Sequence, residues 1–311
     1  MKRRDFLLQS AGFCTTFAGG SLFAQPAAST PKIPYIDMHT HIGTTWNGDE
    51  ELTPDALLRW MDQHDIEKSV LLPLVSPESS SYLLLTEPAL AAAKAHPDRL
   101  IPFCCIDPRT SYQHGQKGLT EMLKRYVDKG AKGFGEHKCG LKFDDPLMFR
   151  VYQACQDLKL PLLFHMDNQR GVDKPGLPAL ETALKSFPEL NFIGHGPGFW
   201  ASISGTIEQK DLSGYPPGKV FPGGALDRLL EKYANLYCDL SAGSGSNAIS
   251  RDKEFGKQFL IRRQDRVLFG TDYLKPGQDV PQFALMKELQ LPHDVAMKIH
   301  RGNAIKLLKL T

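Results

Sequence analysis

The chain has 311 residues, 41% of them hydrophobic and 23% charged, which allows one large domain with a sizeable core and does not force two. Its 37 Lys and Arg face 35 Asp and Glu; three of those bases and one acid fall in the first 24 residues, so the remainder balances to zero. That excludes a basic footprint for nucleic acid or for an anionic membrane surface.

The amino terminus, Lys2-Arg3-Arg4-Asp5-Phe6-Leu7-Leu8, is a twin-arginine pattern ahead of a modestly apolar run to about residue 24. Gly12, Gly19 and Gly20 leave that run too weakly apolar to span a bilayer, so no stable membrane anchor is expected. The pattern predicts a signal peptide over 1–24 cleaved near Ala24, a linker over 25–34, and export of a periplasmic protein by the twin-arginine machinery. An ordinary amphipathic first helix is the alternative. Beyond Cys14, the five cysteines Cys104, Cys105, Cys139, Cys155 and Cys238 are odd in number and lack Cys-x-x-Cys spacing, so free buried thiols are expected.

From residue 35 the chain alternates short apolar runs with helical periodicity. The run at 35–41 reads as a strand, followed by a helix over 53–64, a strand over 69–75 and a helix over 82–96. Strands over 100–106 and 131–138 frame a helix over 118–129, closed by Gly130. Helices over 146–159 and 177–187 alternate with strands over 162–166 and 191–194. After a long segment over 196–225 come a helix over 226–233, a strand over 236–240, a helix over 254–262 and a strand over 267–270. Helices over 282–289 and 294–308 end the chain. Eight strand starts, mostly 30 to 33 residues apart, predict an α/β chain folded as a (β/α)8 TIM barrel over 35–311 with an insertion at 196–225. A doubly wound open sheet is the rival, disfavoured because no Gly-x-Gly-x-x-Gly follows the first strand.

The histidines carry the functional argument. In Asp37-Met38-His39-Thr40-His41 the alternate residues share one face of a strand, and two imidazoles at that spacing reach one metal ion. His137, His165 and His195 also fall at or beside predicted strand ends, and Asp272 follows the last strand. That rim is where barrel enzymes keep their catalytic groups. Taken singly, His165 reads as well as a satisfied core histidine, and Asp272 as a helix cap; together they read as a site.

Asp37-x-His39-x-His41, His165 and His195 at strand ends, and Gly270-Thr271-Asp272 resemble the amidohydrolase superfamily, the metal-dependent TIM-barrel hydrolases. The ending Arg301-Gly302-Asn303-Ala304-Ile305-Lys306-Leu307-Leu308 resembles the branch related to aminocarboxymuconate-semialdehyde decarboxylase, as do Gly130-Ala131-Lys132-Gly133-Phe134, Asp144-Asp145-Pro146 and the run from Leu160 to His165. The resemblance implies one divalent metal, zinc, held by His39, His41, His165 and Asp272, with a second ion open. It implies a metal-activated water, Asp272 taking the water's proton, and His195 orienting the substrate carbonyl or the water, or binding a second metal. In Gly135-Glu136-His137-Lys138, Glu136 resembles the bridging acid of binuclear members, whereas typical members of the decarboxylase-related branch have no bridging ligand there. Lys138 shares the parity of Glu136, and a role in substrate binding stays equally open.

The expected function is hydrolysis of a small carbonyl compound such as an amide, lactone or ester. The alternative is non-oxidative decarboxylation of an unsaturated or aromatic acid, and a non-enzymatic metal-binding barrel is the third reading. A decarboxylase needs a carboxylate anchor, for which Arg109, Lys138 and Arg170 are candidates; Phe199 and Trp200 in the insertion are candidates to cover an uncharged substrate. Expected partners are a small-molecule substrate and the export machinery, no nucleic acid, and an oligomeric state left open.

Overall fold

In the computed structural model, residues 33–45, 50–79, 83–110 and 115–310 are described. The signal-peptide prediction, most of the linker and His114 lie outside them. Eight parallel strands follow in order: β1 Tyr35–Thr40, β2 Ile66–Leu71, β3 Leu100–Pro102, β4 Phe134–His137, β5 Leu162–His165, β6 Phe192–His195, β7 Leu236–Asp239 and β8 Val267–Leu268. They pair as β1-β2-β3 and as β4-β5-β6-β7-β8. The backbone amides of Cys104 and Gly135 join β3 to β4, bonding Gly133 O at 2.9 Å and Cys104 O at 2.9 Å. The other seam closes through Met38 N to Phe269 O at 3.0 Å and His41 N to Tyr273 O at 3.1 Å. The result is the expected (β/α)8 barrel.

The first helices are α1 Pro54–Gln63, α2 Thr86–Ala95, α3 Gly115–Asp128, α4 Pro146–Asp157 and α5 Pro178–Ser186. The insertion holds the short α6 Pro197–Ala201 and a 3-10 turn Gln209–Ser213. There follow α7 Ala225–Lys232, α8 Ala242–Ser250, α9 Lys253–Arg262, α10 Pro281–Leu289, α11 His293–Met297 and α12 Asn303–Leu308. Local chemistry sets several starts: Thr53 and Asp145 cap α1 and α4 with side-chain oxygens, each ahead of a first-turn proline.

Three expectations need correction. The second strand spans Ile66–Leu71, not 69–75, because Tyr35 pairs with Ile66 and Pro73 cannot donate to a ladder. The helix expected over 294–308 is broken by a π-helical turn, Lys298–Gly302. Helices α6 and α8 were not expected, since both are rich in Gly, Ser or Pro; tertiary packing forms them.

Inside the barrel, Ile36 and Met38 of β1, Val70, Ile101, Leu163, Ile193 and Leu268 form one buried cluster with Ala304 and Leu308 of α12. Residues from opposite strands meet this way only in a filled barrel interior. All five described cysteines are free and buried, as expected. Among the described residues, no helix is long and apolar enough to cross a membrane.

His300, in the π-helical turn, packs its ring 4.4 Å from that of Tyr35, and burial lowers its pKa to about 4. The native state therefore binds this proton less tightly than the unfolded chain, in which histidine titrates near 6.5. The stability held by neutral His300 is complete above about pH 6.5 and falls as pH drops toward 4, with about 2 kcal/mol lost by pH 5. Thermal melts at pH 7.5 and pH 5 test this: His300→Phe should flatten the decline by about that amount. An equally steep decline in the variant would contradict it.

Candidate metal centre

The strand ends bring four imidazoles and several carboxylates into one buried group. Nε2 of His39 and Nε2 of His41 lie 3.2 Å apart. Oδ1 of Asp272 is 3.4 Å from the first and 3.3 Å from the second. Oε2 of Glu136 is 3.6 Å and 3.5 Å from the same two nitrogens. An ion bound at 2.0–2.1 Å by tetrahedral N and O donors spaces them by about 3.4 Å. Oε2 of Glu136 is moreover buried without any hydrogen-bond partner. A buried carboxylate oxygen facing two imidazole nitrogens without a bonded hydrogen fits a cation, and the donor chemistry fits a divalent one.

The neighbouring groups fix the aim of these ligands. Nδ1 of His39 donates to Oδ2 of Asp239 at 2.6 Å, and Nδ1 of His41 to the Leu72 carbonyl at 2.8 Å. Each bond turns Nε2 toward the other donors, the atom a ligand would use. Gly270 permits the approach of Asp239, since a Cβ there would lie 2.1 Å from its Oδ1. Gly135 is required as well: its φ is +135° and a Cβ would meet the Leu163 carbonyl at 2.3 Å. Asp37 shares the motif but serves the seam. It accepts from the backbone amides of His39 and Thr271 at 3.0 Å each, and from the Thr271 hydroxyl at 2.6 Å. Asp272 N then bonds the His39 carbonyl at 2.8 Å, which places its carboxylate beside the histidine pair.

The other oxygen of Glu136 faces a second group. Oε1 is 2.9 Å from Nδ1 of His165, 3.4 Å from Nζ of Lys138 and 3.8 Å from Nε2 of His195. Glu136, His165 and His195 thus form a donor set of their own. The resemblance offered His39, His41, His165 and Asp272, with Glu136, as metal ligands; the structure sets His165 and His195 on the Oε1 side of Glu136 and His39 and His41 on its Oε2 side. Spacing along the chain could not show that Glu136 stands between the two histidine pairs. Nε2 of His165 is held by Oδ2 of Asp167 at 3.0 Å.

The tautomer of His195 follows from its neighbours. The Ser241 hydroxyl donates its one hydrogen to Oδ2 of Asp239 at 2.7 Å, so at 2.7 Å from Nδ1 of His195 it accepts. Nε2 of His195 is therefore a lone-pair site. It suits ligation or acceptance of a hydrogen bond from water, and it cannot donate to a substrate carbonyl. Burial, reinforced by the charge on His39, lowers the His195 pKa to about 3 and keeps it neutral. Burial alone would raise Glu136; the charge of Lys138 and the bond from His165 outweigh it and hold the carboxyl well below its usual range. Burial opposes charge on His39, but without a bound cation Asp272 and Asp239 push its pKa well up, so a proton on Nε2 stands where a metal would take its place.

The candidate substrate groups fare differently. Trp200 is 1% exposed, with Nε1 donating to the Asp239 carbonyl at 2.8 Å, and Phe199 is wholly buried against Gly194. Both belong to the core, because α6 turns back directly after β6; they brace the site and do not cover a substrate. Nη2 of Arg170 pairs with Asp167 at 2.9 Å. Arg109 is bonded to Asp107 and, by two nitrogens, to Glu78. Asp239 escaped the sequence reading; its signal was a lone carboxylate as the last residue of a barrel strand.

The family model described as Amidohydrolase matches residues 36–310. The chain belongs to the amidohydrolase family. No curated protein sequence matches this amidohydrolase. An uncharacterised TIM-barrel protein of Bordetella bronchiseptica superposes with a TM-score of 0.66 at 18% identity, over 89% of this chain and 99% of that one. A protein of Acinetobacter baumannii described as a probable 2-pyrone-4,6-dicarboxylic acid hydrolase gives 0.59 at 14% identity, over 89% and 100%. A 2,6-dihydroxybenzoate decarboxylase gives 0.54 at 18% identity, over 90% and 99%. At these identities the likeness is one of fold, and it spans both hydrolases and a lyase.

Asp239 offers a test that spares every ligand. Asp239→Asn should weaken divalent-metal affinity by about 10- to 100-fold, because His39 loses the carboxylate that sets its tautomer and basicity. Competition against a chromophoric chelator measures this, and unchanged affinity would contradict the role.

Proposed function

We propose that this amidohydrolase-family chain is a metal-dependent hydrolase of a small uncharged carbonyl compound, an amide, lactone or ester. The observation that carries the reading is the Glu136 carboxylate, with Oε2 toward His39 and His41 and Oε1 toward His165 and His195. An acid at this strand is a feature of the binuclear members of the superfamily, whose bridging acid Glu136 resembles, and typical members of the decarboxylase-related branch, which other motifs of the chain resemble, lack it. In this reading His39, His41, Glu136 and Asp272 would hold one zinc ion, and Glu136, His165 and His195 would offer donors for a second.

When bound, the metal supplies a Lewis acid for the carbonyl and lowers the pKa of a water toward neutrality. The chain does the rest. Asp272, whose side chain at 17% exposure is more open than that of Glu136 or Asp239, takes the proton of the attacking water. Nε2 of His195, 4.0 Å from Oδ2 of Asp272, accepts a hydrogen bond that orients the water or completes the second donor set. Engagement of the candidate anchors supports an uncharged substrate: Arg109, Lys138 and Arg170 each face a carboxylate of the chain itself. The twin-arginine pattern at Arg3 and Arg4 further suggests periplasmic action after export.

Zinc-loaded enzyme should release acid from members of a lactone, ester and amide panel, lose that activity on chelation and regain it with zinc. Carbon dioxide release from aromatic or unsaturated acids, with no turnover of the panel, would overturn the proposal in favour of decarboxylation. His39→Ala with His41→Ala should abolish tight metal binding, since half of the first donor set is lost. Replacing Arg3 and Arg4 by Lys should leave the precursor in the cytoplasm; mature protein appearing outside at the usual level would refute export by this route.

A further inference from the structure

Behind β4, on the side away from Glu136, three soft donors converge. Nε2 of His137 is 3.0 Å from Sδ of Met148 and 3.7 Å from Sγ of Cys139, and the two sulfurs are 3.4 Å apart. All three residues are buried, at 1% exposure or less. The two contacts at Met148 are of hydrogen-bond length, shorter than the about 3.5–4.0 Å of nonbonded carbons, so the three polar atoms face one another. Donors at about 2.0 Å for nitrogen and 2.3 Å for sulfur from a shared three- or four-coordinate ion stand about 3.4–4.0 Å apart. A bound ion would widen the two edges that meet at Met148, now 3.0 Å and 3.4 Å, by about half an ångström each.

The surroundings fit this role better than a structural one. Among the described residues, Nδ1 of His137 has no hydrogen-bond partner, and the polar contacts of this buried imidazole are two sulfurs. The three donors lie on the last residue of β4, on the loop beyond it and in the first turn of α4, which holds them without long flexible segments.

The geometry points to a second, soft-metal site made by His137, Cys139 and Met148, selective for copper(I). The charge count selects the ion. Binding displaces the Cys139 proton to solvent and forms a thiolate bond, while imidazole and thioether add no charge. A monovalent ion then gives a neutral centre, which an apolar interior tolerates; a divalent ion would leave an uncompensated positive charge there. Thiolate and thioether also select Cu(I) by softness, whereas the His39, His41, Glu136 and Asp272 set suits harder ions. Copper stays in one oxidation state throughout, so no electron is transferred.

The test uses the whole zinc-loaded protein, titrated anaerobically with Cu(I) against bathocuproine disulfonate and followed to equilibrium. Wild type should take one equivalent, and X-ray absorption at copper should report one nitrogen and two sulfurs. Met148→Leu, which conserves volume, should keep the far-ultraviolet spectrum and zinc content while weakening Cu(I) binding at least tenfold. Cys139→Ser should abolish it. Failure of wild type to compete with the chelator would overturn the proposal, as would uptake equal in wild type and both variants.

Discussion

Three carboxylates, Glu136, Asp239 and Asp272, are packed among His39, His41 and His195 at one end of this barrel, and the negative charge they carry into a nearly dry site must be neutralised. Protonation of His39 does so in part; a cation held by the Nε2 atoms of His39 and His41, which point at the same spot that the acids face, would do so more fully. Repulsion among nitrogens and carboxylate oxygens spaced 3.2–3.6 Å would be relieved by one cation at their centre. Much else in the upper barrel serves to hold that arrangement. Asp239 and the Leu72 carbonyl set the tautomers, Ser241 orients His195, and Trp200 holds the strand end that carries Asp239.

Barrel closure and site assembly are the same event. The Asp37–Thr271 bonds zip β1 to the chain after β8, and one residue further Asp272 is fastened to the His39 carbonyl. A ligand from the first strand and one from the last meet only when the sheet has closed on itself. Asp272 sits at φ +59°, a left-handed conformation that aspartate tolerates better than most residues. This seam, and not a flexible loop, sets the distance between Asp272 and the histidine pair.

Much of this was legible in the sequence. The 30-residue repeat of apolar runs gave away eight strands, and His39, His41, His165, His195 and Asp272 lie at the rim where that repeat placed them. What the sequence could not show was which atoms meet. His165 looked like a partner of His39 and His41, yet the two oxygens of Glu136 divide the histidines into separate sets, a fact of tertiary position alone. Trp200 looked like a loop aromatic because Gly196-Pro197-Gly198 precedes it; the same residues instead start a helix that buries it. Helix α8, Ala-Gly-Ser-Gly-Ser in its opening turns, has low helical propensity, and its Gly245 is needed because a Cβ would meet the Leu240 carbonyl at 2.3 Å. Asp239 had no partner at a telling spacing, so nothing marked it beyond its place at a strand end.

The central claim is that the Glu136 carboxylate faces a cation from each histidine pair. Anomalous diffraction at the zinc edge from crystals of the metal-loaded protein tests it most directly. The account predicts an anomalous peak within bonding distance of Oε2 of Glu136 and of Nε2 on His39 and His41. A metal peak bound by His39, His41 and His165 with Glu136 turned away from it would contradict the account.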